Sequence, residues 1–143
     1  MTQINFVVPG VPVAKGRPKF RKVGKFVQAY TPAKTQKAEK FIADCFKAYG
    51  KKPPKKYDEI WLTCNFYMSI PKGTSKKRIL ELNEKKGHTK RPDVDNLVKT
   101  VCDALNGVAF VDDSLITGMD VCKLYSTNPR TEIAISYHKS LDK

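Results

Sequence analysis

The spacing of apolar positions changes several times along the chain, and each change marks an element. Ile4-Asn5-Phe6-Val7-Val8 is β-branched and aromatic and stops at Pro9-Gly10, which predicts a first strand and then an irregular segment through Pro12 and Gly16. Phe20–Val23 and Phe26–Tyr30 flank Gly24-Lys25 and predict a hairpin with basic exposed positions. Thr31 as N-cap and Pro32 at the first helical position open a helix that runs to Tyr49 and is closed by Gly50. Ala38, Phe41, Ile42, Cys45 and Phe46 recur at helical spacing and mark its buried face, with Lys34, Lys37, Lys40 and Lys47 elsewhere. Ile60–Ile70 is too rich in β-branched and aromatic residues for a helix and predicts a long central strand. Ser75–Lys86 predicts a short helix with Ile79 and Leu82 on one side, and Gly87–Lys90 a loop. Val94, Leu97, Val98, Val101, Cys102 and Leu105 follow an i, i+3, i+4, i+7 pattern, an amphipathic helix closed by Asn106-Gly107. Strands follow near Leu115–Tyr125 and Thr131–His138, split by Asn128-Pro129. The fold class expected is α+β.

At 143 residues, 41% of them apolar, the chain is expected to form one domain over 1–143 with a core that needs no disulfide or metal to hold it. Cys45, Cys64, Cys102 and Cys122 form no CxxC pair and have only His88 and His138 for company, so zinc-ligand spacing is absent and each reads as a small hydrophobe. No apolar run approaches the roughly 20 residues of a membrane span, and the first residues show neither a basic n-region nor a long apolar h-region. The expected compartment is the cytoplasm.

Charge changes the picture more than composition does. The formal net charge is +13, and it is segregated: residues 1–90 hold 21 Lys and Arg against 6 Asp and Glu, while residues 91–143 hold 6 against 8. A lysine-rich surface that only keeps the protein soluble is the competing explanation, but such a surface does not usually confine its acids. Nucleic acid is the favoured partner, because neutralised phosphates release counterions. An anionic membrane surface lacks the amphipathic helix it would need.

Five of the fourteen acids lie between positions 93 and 113. Pro92 disfavours helix at Arg91 and sets a turn, so Asp93 falls in extended backbone or at the cap and Asp95 in the first turn, side by side. Asp95, Lys99 and Asp103 share one polar stripe, and the chain returns after Gly107 to present Asp112-Asp113, a return able to bring a third carboxylate to the first two. Converging carboxylates without Cys or His suit Mg²⁺ or Mn²⁺ and metal-assisted phosphodiester hydrolysis. Ordinary helix capping and an ordinary Asp-Asp turn explain the same residues. Lys99 either stabilises charge on a scissile phosphate or pairs with Asp95 and Asp103. A calcium loop does not fit, since Leu97 stands where an acid is needed.

Arg91-Pro92-Asp93-Val94-Asp95-Asn96-Leu97-Val98-Lys99, then Asp103-Ala104-Leu105-Asn106-Gly107, then Asp112-Asp113-Ser114-Leu115-Ile116, resembles the signature of RusA-type Holliday junction resolvases. Pro9-Gly10-Val11-Pro12, Lys15-Gly16-Arg17-Pro18-Lys19 and Tyr30-Thr31-Pro32 resemble the opening of the prophage-type members; Gly50–Lys90 matches only in general character. The resemblance implies a mixed β-sheet with two main helices packed on it. It also implies a homodimeric endonuclease that uses Mg²⁺, with Mn²⁺ substituting, to place paired nicks in four-way DNA junctions during recombination and repair. By motif position the metal ligands are Asp93, Asp95 and Asp113 and the catalytic lysine is Lys99. The interval before Asp112-Asp113 is slightly shorter than in the best-known member, which keeps Asp112 as the other candidate. Lys15, Arg17, Lys19, Arg91 and Lys99 are the expected DNA contacts. A nuclease for flaps or forks, and a non-catalytic DNA-binding module whose aspartates only cap a helix, are the other readings. Phe20, Phe26, Trp61 and Phe110 are expected in the core rather than stacked on bases.

Overall fold

The protein is described by a computed structural model over residues Thr2–Ser140. Its elements are β1 (Thr2–Pro9), β2 (Lys19–Val23), β3 (Phe26–Tyr30), α1 (Ala33–Tyr49), β4 (Glu59–Ser69), α2 (Lys76–Leu82), α3 (Val94–Leu105), a 3₁₀ turn (Asp113–Leu115), β5 (Ile116–Ser126) and β6 (Arg130–His138). Four strands form one mixed sheet in the order β1-β6-β4-β5, in which β4 and β5 are parallel and the other pairs antiparallel. The expected α+β fold, a mixed sheet carrying two main helices, is the one observed. Among the described residues no helix is long and apolar enough to cross a membrane.

Strict alternation gives the sheet one core face. Ile4, Phe6 and Val8 of β1, Ile60, Leu62, Cys64, Phe66 and Met68 of β4, and Ile133, Ile135 and Tyr137 of β6 are buried. Their in-between neighbours, such as Thr63, Asn65, Glu132 and Ser136, remain half-exposed on the opposite face. Over the core face lie α1 through Ile42 and Phe46 and α3 through Leu97, Val101 and Leu105. Phe46 meets Phe6 edge-to-face at 5.4 Å between ring centroids, and each fully buried Leu of α3 contributes about 1.5–3 kcal/mol. The Tyr137 hydroxyl donates to Ala109 O at 2.6 Å and ties the segment after α3 to the sheet. All four cysteines are free thiols.

Four expectations need correction. The first is the start of α1, which begins at Ala33 with Pro32 as its cap residue and no capping side chain; Thr31 instead offers its carbonyl to the Gln36 carboxamide. Its buried arc is also narrower than expected, since Phe41 is 46% exposed and Thr35 is buried in its place. Third, α2 starts as expected, with Ser75 Oγ accepting from Arg78 N, but stops at Leu82. Asn83 and Glu84 are drawn off to the β5–β6 turn, where Asn83 Oδ1 accepts from Thr127 N and Glu84 bonds Ser126 and Arg130. Finally, Phe20 and Phe26 are not core residues: they are 68% and 78% exposed on the β2–β3 hairpin, whose residues are exposed save half-buried Tyr30. The hairpin has no second layer over either face, a fact that strand propensity cannot reveal. Trp61 is likewise 41% exposed, its ring against Gly118, while Phe110 is buried as expected.

Candidate active site

α3 is the frame of the site. Asp93 occupies the cap position with extended backbone (φ −72°, ψ 148°), and its carbonyl accepts the first helical bond from Leu97 N, but its carboxylate makes no capping bond. A capping carboxylate typically adds about 1 kcal/mol to a helix, and here that gain is forgone. Asp95 is the acid of the first turn, and the Arg91–Pro92 peptide ahead of it is cis. Lys99 lies one turn on, exposed, and forms no ion pair with Asp95 or Asp103.

After α3 the chain turns at Asn106 and Gly107, the latter at φ 76°, where glycine is favoured. The Asn106 carboxamide oxygen accepts from Asp113 N at 3.2 Å and so fixes the second acidic segment beside the end of α3. Of that pair, Asp112 is engaged within its own turn: the Ser114 hydroxyl donates to its carboxylate and, with backbone N–H groups, holds its pKa below the ordinary carboxylate value. Burial, aided by the Asp113 and Asp103 carboxylates, pushes the Cys102 thiol up to about 11. Asp113 is thus held through its backbone N–H beside the C-terminal end of α3, whereas Asp95 lies in the first turn of that helix. The convergence expected from the sequence is incomplete within one chain: among the described residues no three His, Cys, Asp or Glu side chains are grouped to hold a metal ion.

A pattern of engagement separates these acids from the rest. Asp103 and Glu39 share Lys15, Asp44 pairs with Lys40, Glu81 with Arg78, and Glu84 and Glu132 with Arg130. Asp58 accepts from Ser140 N, Glu59 from Thr117, Asp112 from Ser114 and Asp120 from the Trp61 indole. Among the described residues, the carboxylates of Asp93, Asp95 and Asp113 alone take part in no such hydrogen bond or ion pair. With 27 Lys and Arg for 14 Asp and Glu, that is no shortage of cations.

The expected DNA contacts divide. Lys15 is bound at 3.0 Å to Asp103 and 3.2 Å to Glu39, and its backbone N–H donates to Asn96 O, so it pins the 10–18 loop onto α3 and α1. Burial lowers its pKa, but the two carboxylates more than offset this and leave it above its ordinary 10.5. Arg17, Lys19, Arg91 and Lys99 are exposed. A cleft of about 830 Å³ lies between loop and helix, lined by Lys15, Arg17, Lys34, His88, Arg91 and Asp93 among others. Three features of this region went unread in the sequence: Lys34 as a lining cation, Asn106 as the support of Asp113, and His88, whose buried Nδ1 has no hydrogen-bond partner. Lys34 and His88 depend on contacts between segments far apart in sequence, the Asn106–Asp113 bond spans seven residues, and no local pattern marks any of the three.

The model of the endodeoxyribonuclease RusA matches residues 9–136. The chain belongs to the RusA family. Membership indicates endodeoxyribonuclease activity, in keeping with exposed cations beside unpartnered carboxylates. The chain is also similar to the uncharacterized protein YqaN of Bacillus subtilis (strain 168), with 34% identity over 139 residues covering 94% of this chain and 96% of that protein.

Proposed function

We propose that this RusA-family chain is a divalent-metal-dependent nuclease that resolves four-way DNA junctions by paired nicks, as a homodimer, in recombination and repair. The observation that carries this reading is the set of three exposed carboxylates, Asp93, Asp95 and Asp113, left without partners among the described residues in a chain rich in cations. It also weighs against the capping-only alternative, since Asp93 makes no cap bond.

The donor set fits a hard cation. Asp93 and Asp95 are exposed oxygen donors at the open end of α3, and Mg²⁺ needs only one or two protein carboxylates when waters and substrate phosphates complete its shell. The thiol on α3, Cys102, stays protonated at neutral pH. Asp93 and Asp95 would hold Mg²⁺, or Mn²⁺ in its place, and Asp113 would be the third carboxylate once drawn toward them. Bound there, the ion supplies positive charge that polarises a phosphate and lowers the pKa of a water. Lys99, exposed and unpaired one turn beyond Asp95, places its ammonium where charge gathers on the scissile phosphate. Arg17, Lys19 and Arg91 meet neighbouring phosphates and set the strand's course past the carboxylates. Two nicks in opposing strands require two such sites, and a two-fold dimer axis can coincide with that of the junction.

The test is cleavage of an end-labelled four-way junction and a matched linear duplex, each with Mg²⁺ or EDTA. Paired Mg²⁺-dependent nicks confined to the junction are expected. Tight junction binding with no nick in Mg²⁺ or Mn²⁺ would overturn the reading.

A further inference from the structure

The segment that delivers Asp93 to α3 has no regular structure between Gly87 and Val94, yet it is held from one side by β5. The free edge of β5 takes up residues 86–88: Gly87 bridges Leu124, His88 N donates to Lys123 O at 2.9 Å, and Tyr125 N donates to Lys86 O at 3.1 Å. The His88 ring lies on Tyr125, 4.8 Å between centroids. Beyond His88 the backbone leaves the edge, and one side chain follows it. The half-buried Lys123 ammonium donates to Lys90 O at 2.7 Å and to Pro92 O at 2.6 Å.

These two bonds are charge-assisted and about twice as strong as neutral ones. They grip the carbonyls on either side of Arg91, and the second belongs to the peptide whose nitrogen is that of Asp93. Among the described residues no carboxylate lies within ion-pair distance of Lys123, so its charge is committed to backbone geometry rather than to balancing an acid. A long, flexible side chain is ordered here to fix two peptide groups next to an aspartate whose carboxylate is left free.

We propose that Lys123 is a positioning residue for the carboxylate site: by holding Lys90 O and Pro92 O it fixes the backbone at Asp93, and with it the relation of Asp93 to Asp95. The proposal rests on the assignment of these carboxylates to the metal. Lys123 touches neither metal nor DNA in this role. Supports of this kind typically change metal affinity by 10–100-fold when removed.

The test compares wild type with Lys123→Met, which keeps the length and loses the donors, and with Lys123→Arg, which keeps charge and donors. Three quantities are read: amide hydrogen exchange of the metal-free protein, Mn²⁺ binding followed by the electron paramagnetic resonance of free Mn²⁺, and four-way junction binding in EDTA. In Lys123→Met, exchange should rise over residues 88–97 alone and the Mn²⁺ Kd should increase about tenfold or more. Junction affinity in EDTA should stay within about twofold, since no phosphate contact is lost, and Lys123→Arg should recover most of the Mn²⁺ affinity. Should Lys123→Met not fold, Lys123→Gln, with one shorter donor, serves the same comparison. Unchanged exchange and Mn²⁺ affinity would overturn the proposal, as would faster exchange spread over the whole sheet with Mn²⁺ affinity intact. Wild-type protein that binds no Mn²⁺ would instead sink the metal reading. The exchange data then decide the clamp alone: a local rise supports it, and none overturns it.

Discussion

Helices α1 and α3 lie side by side on the same face of the sheet, and they treat their acids in opposite ways. On α1 both acids are taken, Glu39 by Lys15 and Asp44 by Lys40. On α3 Asp103 is taken by Lys15, while Asp95, eight residues earlier on the same polar stripe, and the cap residue Asp93 are left bare. Exposure does not distinguish the two sets. What differs is whether a cation is within reach: Lys40 of α1 itself serves Asp44, and Lys15 of the 10–18 loop serves Glu39 and, at the far end of α3, Asp103. α1 is thus closed chemically and α3 is open at its first turn.

The comparison breaks most visibly through its acids. Asp95→Asn should reduce Mg²⁺-dependent cleavage by at least about 100-fold, while Asp44→Asn on α1 should leave it unchanged; melting temperatures measured alongside should agree with wild type for both. Equal losses in the two variants would erase the distinction between the helices. Next in size is Lys99→Ala, expected to lower kcat by roughly 10–100-fold with little change in junction Kd. Parallel losses in the two would make Lys99 a plain phosphate contact. Arg17→Ala combined with Lys19→Ala should flatten the dependence of log K on log salt by about 2, one unit per lost phosphate contact; a slope left at its wild-type value would move the DNA path off this loop.

Lys15→Met gives the smallest effect, and it acts on stability. The paired ammonium is only a quarter exposed, so about 1 kcal/mol is expected from chemical denaturation at neutral pH. Because the folded pKa lies above the ordinary 10.5, that contribution is fully present below pH 10.5 and fades as the pH climbs through the folded value. A variant as stable as wild type at pH 7 would show that the two carboxylates gain nothing from the lysine.

Much of this is legible in the sequence alone. β1, β4 and α3 announce themselves because burial on one face writes period 2 or 3.6 directly into the chain, and Pro92 ahead of the α3 pattern puts Asp95 in its first turn. The rest depends on what arrives from elsewhere. Nothing local says that Lys15 faces inward to two carboxylates while Arg17 faces out, or that Phe20 and Phe26 have no layer above them. The end of α2 moved because Asn83 and Glu84 have partners more than forty residues away. The place of Asp113 beside the end of α3 is set by the Asn106 carboxamide, which reads in sequence only as part of a helix stop.

The β2–β3 hairpin carries Lys19, Arg21, Lys22 and Lys25 with Phe20 and Phe26, and it is braced by little beyond its own ladder, an Arg21–Gln28 bond and the stacking of Arg21 over Tyr30. A lone two-stranded ribbon is marginally stable in water. Whatever it grips must therefore supply its order at the moment of contact. Association through this arm should be driven by enthalpy, opposed by conformational entropy and marked by a negative heat-capacity change, and it should adapt to the shape of its partner rather than select for it.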